Sequence, residues 1–250
     1  MTEQASRHPL DASRELVDRT SPTVRADLLL VPLGSTEQHG PHLPLDTDTS
    51  VAVAVARRVA DRVQGALVAP AVPYGSSGEH QDFPGTLSIG TVALEHVLVE
   101  LGRSATTWVP RVVFVNGHGG NLDALIPAVR LLRAEGRDAS WLPCDPADGR
   151  ARDAHAGRDE TSLLARLRPE AVRSDRAEAG ATAPLAELLP ALRSGGVRAV
   201  AGNGVLGDPT GATADEGAEL LEAMTAAAVR LVEVGTVGAD GRLRGERRDG

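Results

Sequence analysis

Residues 34–48, GSTEQHGPHLPLDTD, place Glu37, His39, His42 and Asp48 within fifteen positions rich in glycine and proline. Neutral imidazole and carboxylate are the usual ligands of zinc, iron and manganese, and a carboxylate can be shared by two ions because each of its oxygens can take one. Glu37 and His39 stand two apart, so an extended backbone points both side chains the same way. The same residue types recur in three later stretches: His80 in YGSSGEHQDFPGTLSIG (74–90), His118 in NGHGGN (116–121), and His155 with Glu160 in HAGRDETS (155–162). Five of the seven histidines fall in these loops, whereas His8 lies in the polar N-terminal stretch and His96 on a helical pattern. A random scatter would not favour one set of loops.

Each loop also has a reading without chemistry. Asp48 and Thr47 precede SVAVAVARRV and are good helix N-caps. NGHGGN can cradle an anion where a strand turns into a helix, although Leu122 stands where a dinucleotide fingerprint needs its third glycine. GSSG (75–78) misses the nucleophile-elbow pattern, because Gly78 directly follows Ser77. Thr161 or Asp159 can cap a helix, and Glu160 suits a helix start through the macrodipole. Tyr74, the only tyrosine, reads as packing, and His96 sits on an ordinary helix face. None of these readings explains all the loops together.

The elements that must position these residues follow from periodicity. LLLVPLG (28–34), ALVAPAV (66–72), RVVFVNG (111–117) and ASWLPC (139–144) read as buried strands, each followed by Gly or Pro. Between them, 50–63, 91–108 and 121–136 read as helices, with further helices at 160–167 and 218–233. A repeated β–loop–α order predicts an α/β fold, a largely parallel sheet covered on both faces, with ligands collecting beyond the carboxyl ends of the strands. The Pro/Ala/Gly-rich stretch after residue 167 carries no helix in this reading, and 202–217 is a long loop. Residues 1–20 and 238–250 have little apolar periodicity and are expected to fray. No domain boundary is visible, so 1–250 reads as one domain.

Composition limits the alternatives. Asp plus Glu outnumber Arg plus Lys, 34 to 26, for a formal net charge of −8, which argues against nucleic acid or an anionic membrane surface as partner. There is no lysine, which excludes Schiff-base and phosphate-loop lysine chemistry. The lone Cys144 cannot form an internal disulfide, and no apolar run approaches the ~20 residues of a membrane span. A soluble, cytoplasmic protein is the expectation.

The four motifs, in this order, resemble those of the creatininase family of metal-dependent amidohydrolases over nearly the whole chain. Within the family, VFVNGHGGN, LLRAEGRDA and GVLGDPTGAT are most similar to members that trim a modified ribosomal precursor peptide. The resemblance implies a three-layer αβα fold, two divalent ions per chain, a homo-oligomer and a peptide substrate. It makes Glu37 and His118 ligands of one ion, His39 a ligand of the other, and Asp48 the shared carboxylate. The chain departs from creatininase at Gly120, where that enzyme has a glutamate that completes the second site. Glu160 is the replacement expected here. By the same resemblance His155 is the catalytic proton shuttle and Ser77 contacts substrate, while His42 and His80 either support the ligands from behind or take over the shuttle. A small-molecule amide or formamide hydrolase and a non-catalytic anion-binding module remain as alternatives.

Overall fold

The computed structural model describes residues 13–146 and 153–245. Four strands, β1 (Leu28–Leu33), β2 (Ala66–Val68), β3 (Arg111–Asn116) and β4 (Asp138–Pro143), form a parallel sheet in the order β2-β1-β3-β4. The central strand β1 is buried along its whole length, as a continuous apolar run in a doubly covered sheet must be. Successive side chains alternate between the faces. Leu28 and Leu30 of β1, with Val113 and Val115 of β3, join one apolar cluster. Leu29, Val31 and Leu33, with Val112 and Phe114, join the other.

Among the described residues, five helices supply the outer layers and a sixth stands apart. On the first face lie α1 (Thr47–Arg62), α4 (Arg158–Leu167) and α6 (Ala214–Val234), through Val55, Val59, Leu163, Leu164, Leu220 and Leu221. On the second lie α2 (Thr91–Ala105) and α3 (Leu122–Ala134), through Leu94, Leu98, Leu125 and Leu132. This is the expected three-layer αβα arrangement. The helix α5 (Leu185–Val200) stands apart, on a small third cluster with Phe83 and Leu206. It lies in the stretch expected to carry no helix, because Pro190 and the pair Gly195–Gly196 read as breakers. The helix does break at Gly196, whose φ of +66° is left-handed. The loop expected over 202–217 ends at 213, because Thr213 caps α6 by accepting the amide of Glu216 and so starts the helix one turn early.

The expected fraying concerns 1–12 and 246–250, which lie outside the described residues, and 13–20 and 238–245, which are tied down. Val68 donates its amide to Arg14, and Leu16 packs on the second cluster. A hairpin of β5 (Thr236–Val237) and β6 (Leu243–Arg244) reaches the sheet through Trp141, whose indole donates to the carbonyl of Asp240. Among the described residues no helix is long and apolar enough to cross a membrane.

The sheet positions the loops through two close approaches. An added Cβ at Gly34, just past β1, would lie 2.4 Å from Thr49 Cα, and one at Gly117, just past β3, would lie 2.5 Å from the carbonyl oxygen of Asp48. The first turn of α1 therefore sits directly on the ends of the two central strands. Gly34→Ala is expected to cost about 2 kcal/mol or more, within the usual range for overpacking against backbone. Urea unfolding checks it; an unchanged midpoint would contradict the packing.

Candidate metal centre

The loops deliver their side chains to one buried cluster at the carboxyl edge of the sheet. Asp48 is not a cap: the residue before α1 is Asp46, and Thr47 donates its hydroxyl to Pro44. Asp48 instead turns inward from the first turn. Its Oδ1 lies 3.1 Å from His39 Nε2, and its Oδ2 lies 3.1 Å from His118 Nδ1 and accepts the Ser35 hydroxyl. One carboxylate thus stands between two imidazoles from different loops. Glu160, in the first turn of α4, brings Oε2 to 3.9 Å from His39 Nε2 and accepts the amide of Ala156.

Glu37 is the most constrained member. It is fully buried, and neither carboxylate oxygen has a well-aligned hydrogen-bond donor, although the Ser77 hydroxyl and neighbouring imidazoles favour its charged form. Imidazoles surround it: His118 Nε2 at 3.2 Å, His80 Nε2 at 3.3 Å and His155 Nδ1 at 3.7 Å. Donor atoms come within 4.8 Å of one another in three overlapping groups, Glu37–His39–Asp48, His39–His155–Glu160 and Glu37–His80–His155. His118 stands between Glu37 and Asp48. A buried carboxylate without a well-aligned donor is costly unless a cation meets it, and the donor set is one that divalent ions take. The residues fit a metal.

Electrostatics reflect this crowding. Burial pushes Glu37 up to about 7 against the pull of His118, and pushes Glu160 up to about 7 against His39. Burial by itself would lower His39, but the charge of Asp48 raises it to about 10; Glu37 and Asp48 likewise raise His118 to about 9. Burial would raise Asp48, yet His39 and His118 hold it well below the usual carboxylate range. Burial and the positive His39 hold His155 well below its ordinary value, and burial and His118 bring His80 down to about 3. The cluster therefore sets neutral imidazoles, His80 and His155, and charged ones, His39 and His118, beside its carboxylates. Burial and the charge of Asp48 push the Cys144 thiol up.

Sequence reasoning missed the amides that hold the rings. Gln38 Oε1 accepts the amide of Gly40, so its Nε2 is the donor, to His80 Nδ1 at 2.9 Å and to the carbonyl of Gly204 at 3.0 Å. The backbone oxygen of Gln38 accepts from His155 Nε2 at 2.9 Å, which leaves His155 Nδ1 bare toward the cluster. Asn121 joins three loops, donating to Gly34 and Asn116 and accepting from Ser76. His39 donates Nδ1–H to the carbonyl of Glu37, which orients Nε2 toward Asp48.

The remaining expected residues take other places. His42 bonds through Nε2 to Thr161 at 2.8 Å, tying the first loop to α4, and burial lowers it to about 4. Thr161 in turn donates to Gly157, so it and Asp159 sit inside α4 and Gly157 precedes it. Ser77 is fully buried with its hydroxyl 3.5 Å from His118 Nε2, and it is Ser76 that lines the adjoining cavity. Tyr74 is half exposed and His96 is exposed on α2. Gly120 is not left-handed, but an added Cβ would lie 2.5 Å from the carbonyl of Ser76 and 2.5 Å from Glu79 Oε1. The Glu79 carboxylate, 3.5 Å from His118 Nε2, occupies the space a side chain at 120 would enter.

A cavity of about 710 Å³ opens on this cluster, with His80, His118 and His155 on one wall and α5 on the other. Because Gln38 satisfies two buried acceptors at once, Gln38→Leu is expected to lower stability by about 2 kcal/mol or more. A denaturation midpoint equal to that of the unaltered chain would show that the amide network is dispensable.

Comparison with known proteins agrees with this geometry. Residues 15–232 match the creatininase family, described as creatinine amidohydrolase. The mycofactocin precursor peptide peptidase of Mycobacterium ulcerans (strain Agy99) is 58% identical over 223 residues, covering 86% of this chain and 88% of that one. That of Mycolicibacterium smegmatis (strain ATCC 700084 / mc(2)155) is 59% identical over 202 residues, covering 79% and 81%. A crystal structure of creatinine amidohydrolase superposes with a TM-score of 0.73 at 28% identity, covering 87% of this chain and 96% of that one. Similar creatininase structures are described as the Mn form and as a Zn-Zn type. The chain belongs to the creatininase family and is a hydrolase acting on carbon–nitrogen bonds.

Proposed function

We propose that the chain is a metal-dependent peptidase acting on the modified mycofactocin precursor peptide and releasing its C-terminal portion. The buried Glu37 carboxylate, without a well-aligned hydrogen-bond donor and ringed by imidazoles, carries the reading of a metal-dependent hydrolase. Relatives bearing the name mycofactocin precursor peptide peptidase supply the substrate. In this reading Glu37 and His118 hold one divalent ion, His39 and Glu160 hold the other, and Asp48 serves both. The placement of Asp48 between His39 and His118, at 3.1 Å from each, supports the shared role. Bound zinc, iron or manganese would supply a Lewis acid for the amide carbonyl and a water acidified from a pKa of about 16 toward about 7.

The chain's own groups handle the proton. His155 is held neutral, its Nε2–H is committed to the Gln38 carbonyl, and its bare Nδ1 faces the cluster. It can accept a proton there and return it to the departing amine nitrogen. Glu160, raised to about 7 by burial, stands next to the same donors and is the second group placed to share that proton. His80 and His42 are supports, since Gln38 and Thr161 fix them. A small cyclic amide or formamide is the runner-up substrate, and a cavity of about 710 Å³ favours the larger one. An anion-binding module fits less well, because Glu37, Asp48 and Glu79 face the same space. We further read 1–250 as one domain, in a cytoplasmic homo-oligomer that sedimentation would reveal.

Incubation of the metal-loaded chain with the modified precursor peptide, followed by mass analysis, tests the function; hydrolysis of creatinine with the peptide left intact would select the runner-up. Asp48→Ala is expected to lose both ions, and Glu160→Gln to release one while the other persists, read as metal per chain. Full occupancy in Asp48→Ala would sink the shared-ligand assignment. His155→Ala is expected to keep its metal and lose about two to four orders of magnitude in turnover, the usual worth of a positioned acid–base group. Near-normal turnover would move the role to Glu160 or His80.

A further inference from the structure

The cavity on the metal centre has α5 as its far wall. Leu185, Leu189 and Leu192 of α5 line it, opposite His80, His118 and His155. Leu188 and Leu192 also pack on the third apolar cluster, which holds the helix. Leu185 and Leu189 remain 46% and 36% exposed, a pair one helical turn apart. Exposed apolar side chains that face a reaction centre across a cavity are contact surface for a ligand's apolar part. The same helix is fastened to the loop that carries Glu79 and His80. An added Cβ at Gly196 would lie 2.8 Å from the carbonyl oxygen of Glu79, and Arg198 stacks 4.5 Å over the ring of Phe83.

We propose that α5 is the specificity wall of the site: Leu185 and Leu189 bind an apolar side chain of the peptide next to the scissile amide, and Gly196 sets their distance from the metal centre. This rests on the proposed peptidase reading and names what that peptide must carry. The occupant follows from continuity, because the one cavity runs from the three imidazoles to the leucines with no wall between. A Cβ at Gly196 would displace the leucines without touching a candidate ligand.

Two fluorescein-labelled hexapeptides, identical except for leucine or serine at the third position, provide the probe for the metal-loaded full chain. Initial anisotropy on mixing gives affinity, and mass analysis of the same mixtures gives cleavage. The unaltered chain is expected to favour the leucine peptide by about tenfold, the scale of burying one apolar side chain. Leu189→Ser and Leu185→Ser should each shrink that preference toward unity while metal per chain stays constant, and Gly196→Ala should shrink it without altering either leucine. An undiminished preference in both leucine variants, or none in the unaltered chain, overturns the wall. Preference that tracks the variants while the metal-loaded chain leaves the modified precursor peptide intact would refute the peptidase reading and leave the wall standing.

Discussion

The constraint on which the structure depends is the burial of Glu37 and Asp48 at the ends of the two central strands. Two carboxylates in a low-dielectric pocket demand positive charge, and among the described residues no arginine pairs with either of them. The chain answers with imidazoles from four loops. His39 and His118 flank Asp48, and His80, His118 and His155 surround Glu37. A site built in this way suits divalent ions, because the same donors that repel one another without a cation become its ligands with one.

Holding such a cluster requires neutral amides and small residues behind it. Gln38 and Asn121 spend their side chains joining loops; the Gln38 amide fixes the tautomer of His80, and the backbone carbonyls of Gln38 and Glu37 fix those of His155 and His39. Gly34 and Gly117 let the first turn of α1 rest on the strand ends, which brings Asp48 inward. Stability and function are therefore coupled at these positions. A loosened network would change ligand geometry before it unfolded the sheet.

Much of this was legible in the sequence. The strands appear as apolar runs closed by Gly or Pro, and β1, β3 and β4 follow those runs within a residue or two. The histidine and carboxylate types in the loops after them announce the chemistry, and the structure gathers Glu37, His39, Asp48, His118, His155 and Glu160. What was hidden depends on contacts between distant segments. Gln38 meets Gly204 across 166 residues, and no local pattern marks that pairing. The helix α5 was masked by Pro190 and Gly196, which local propensity reads as breaks and tertiary packing tolerates. Gly120 was legible as a missing carboxylate, but only the fold shows Glu79 in the space.

The central claim is that this cluster is a two-ion centre with Asp48 shared between the ions. Anomalous diffraction from metal-loaded crystals, recorded on both sides of the zinc, iron and manganese edges, tests it most directly. The account predicts two anomalous peaks per chain, one reached by Glu37, His118 and Asp48 and the other by His39, Glu160 and the second oxygen of Asp48. A single peak, or two peaks of which Asp48 touches only one, would contradict it.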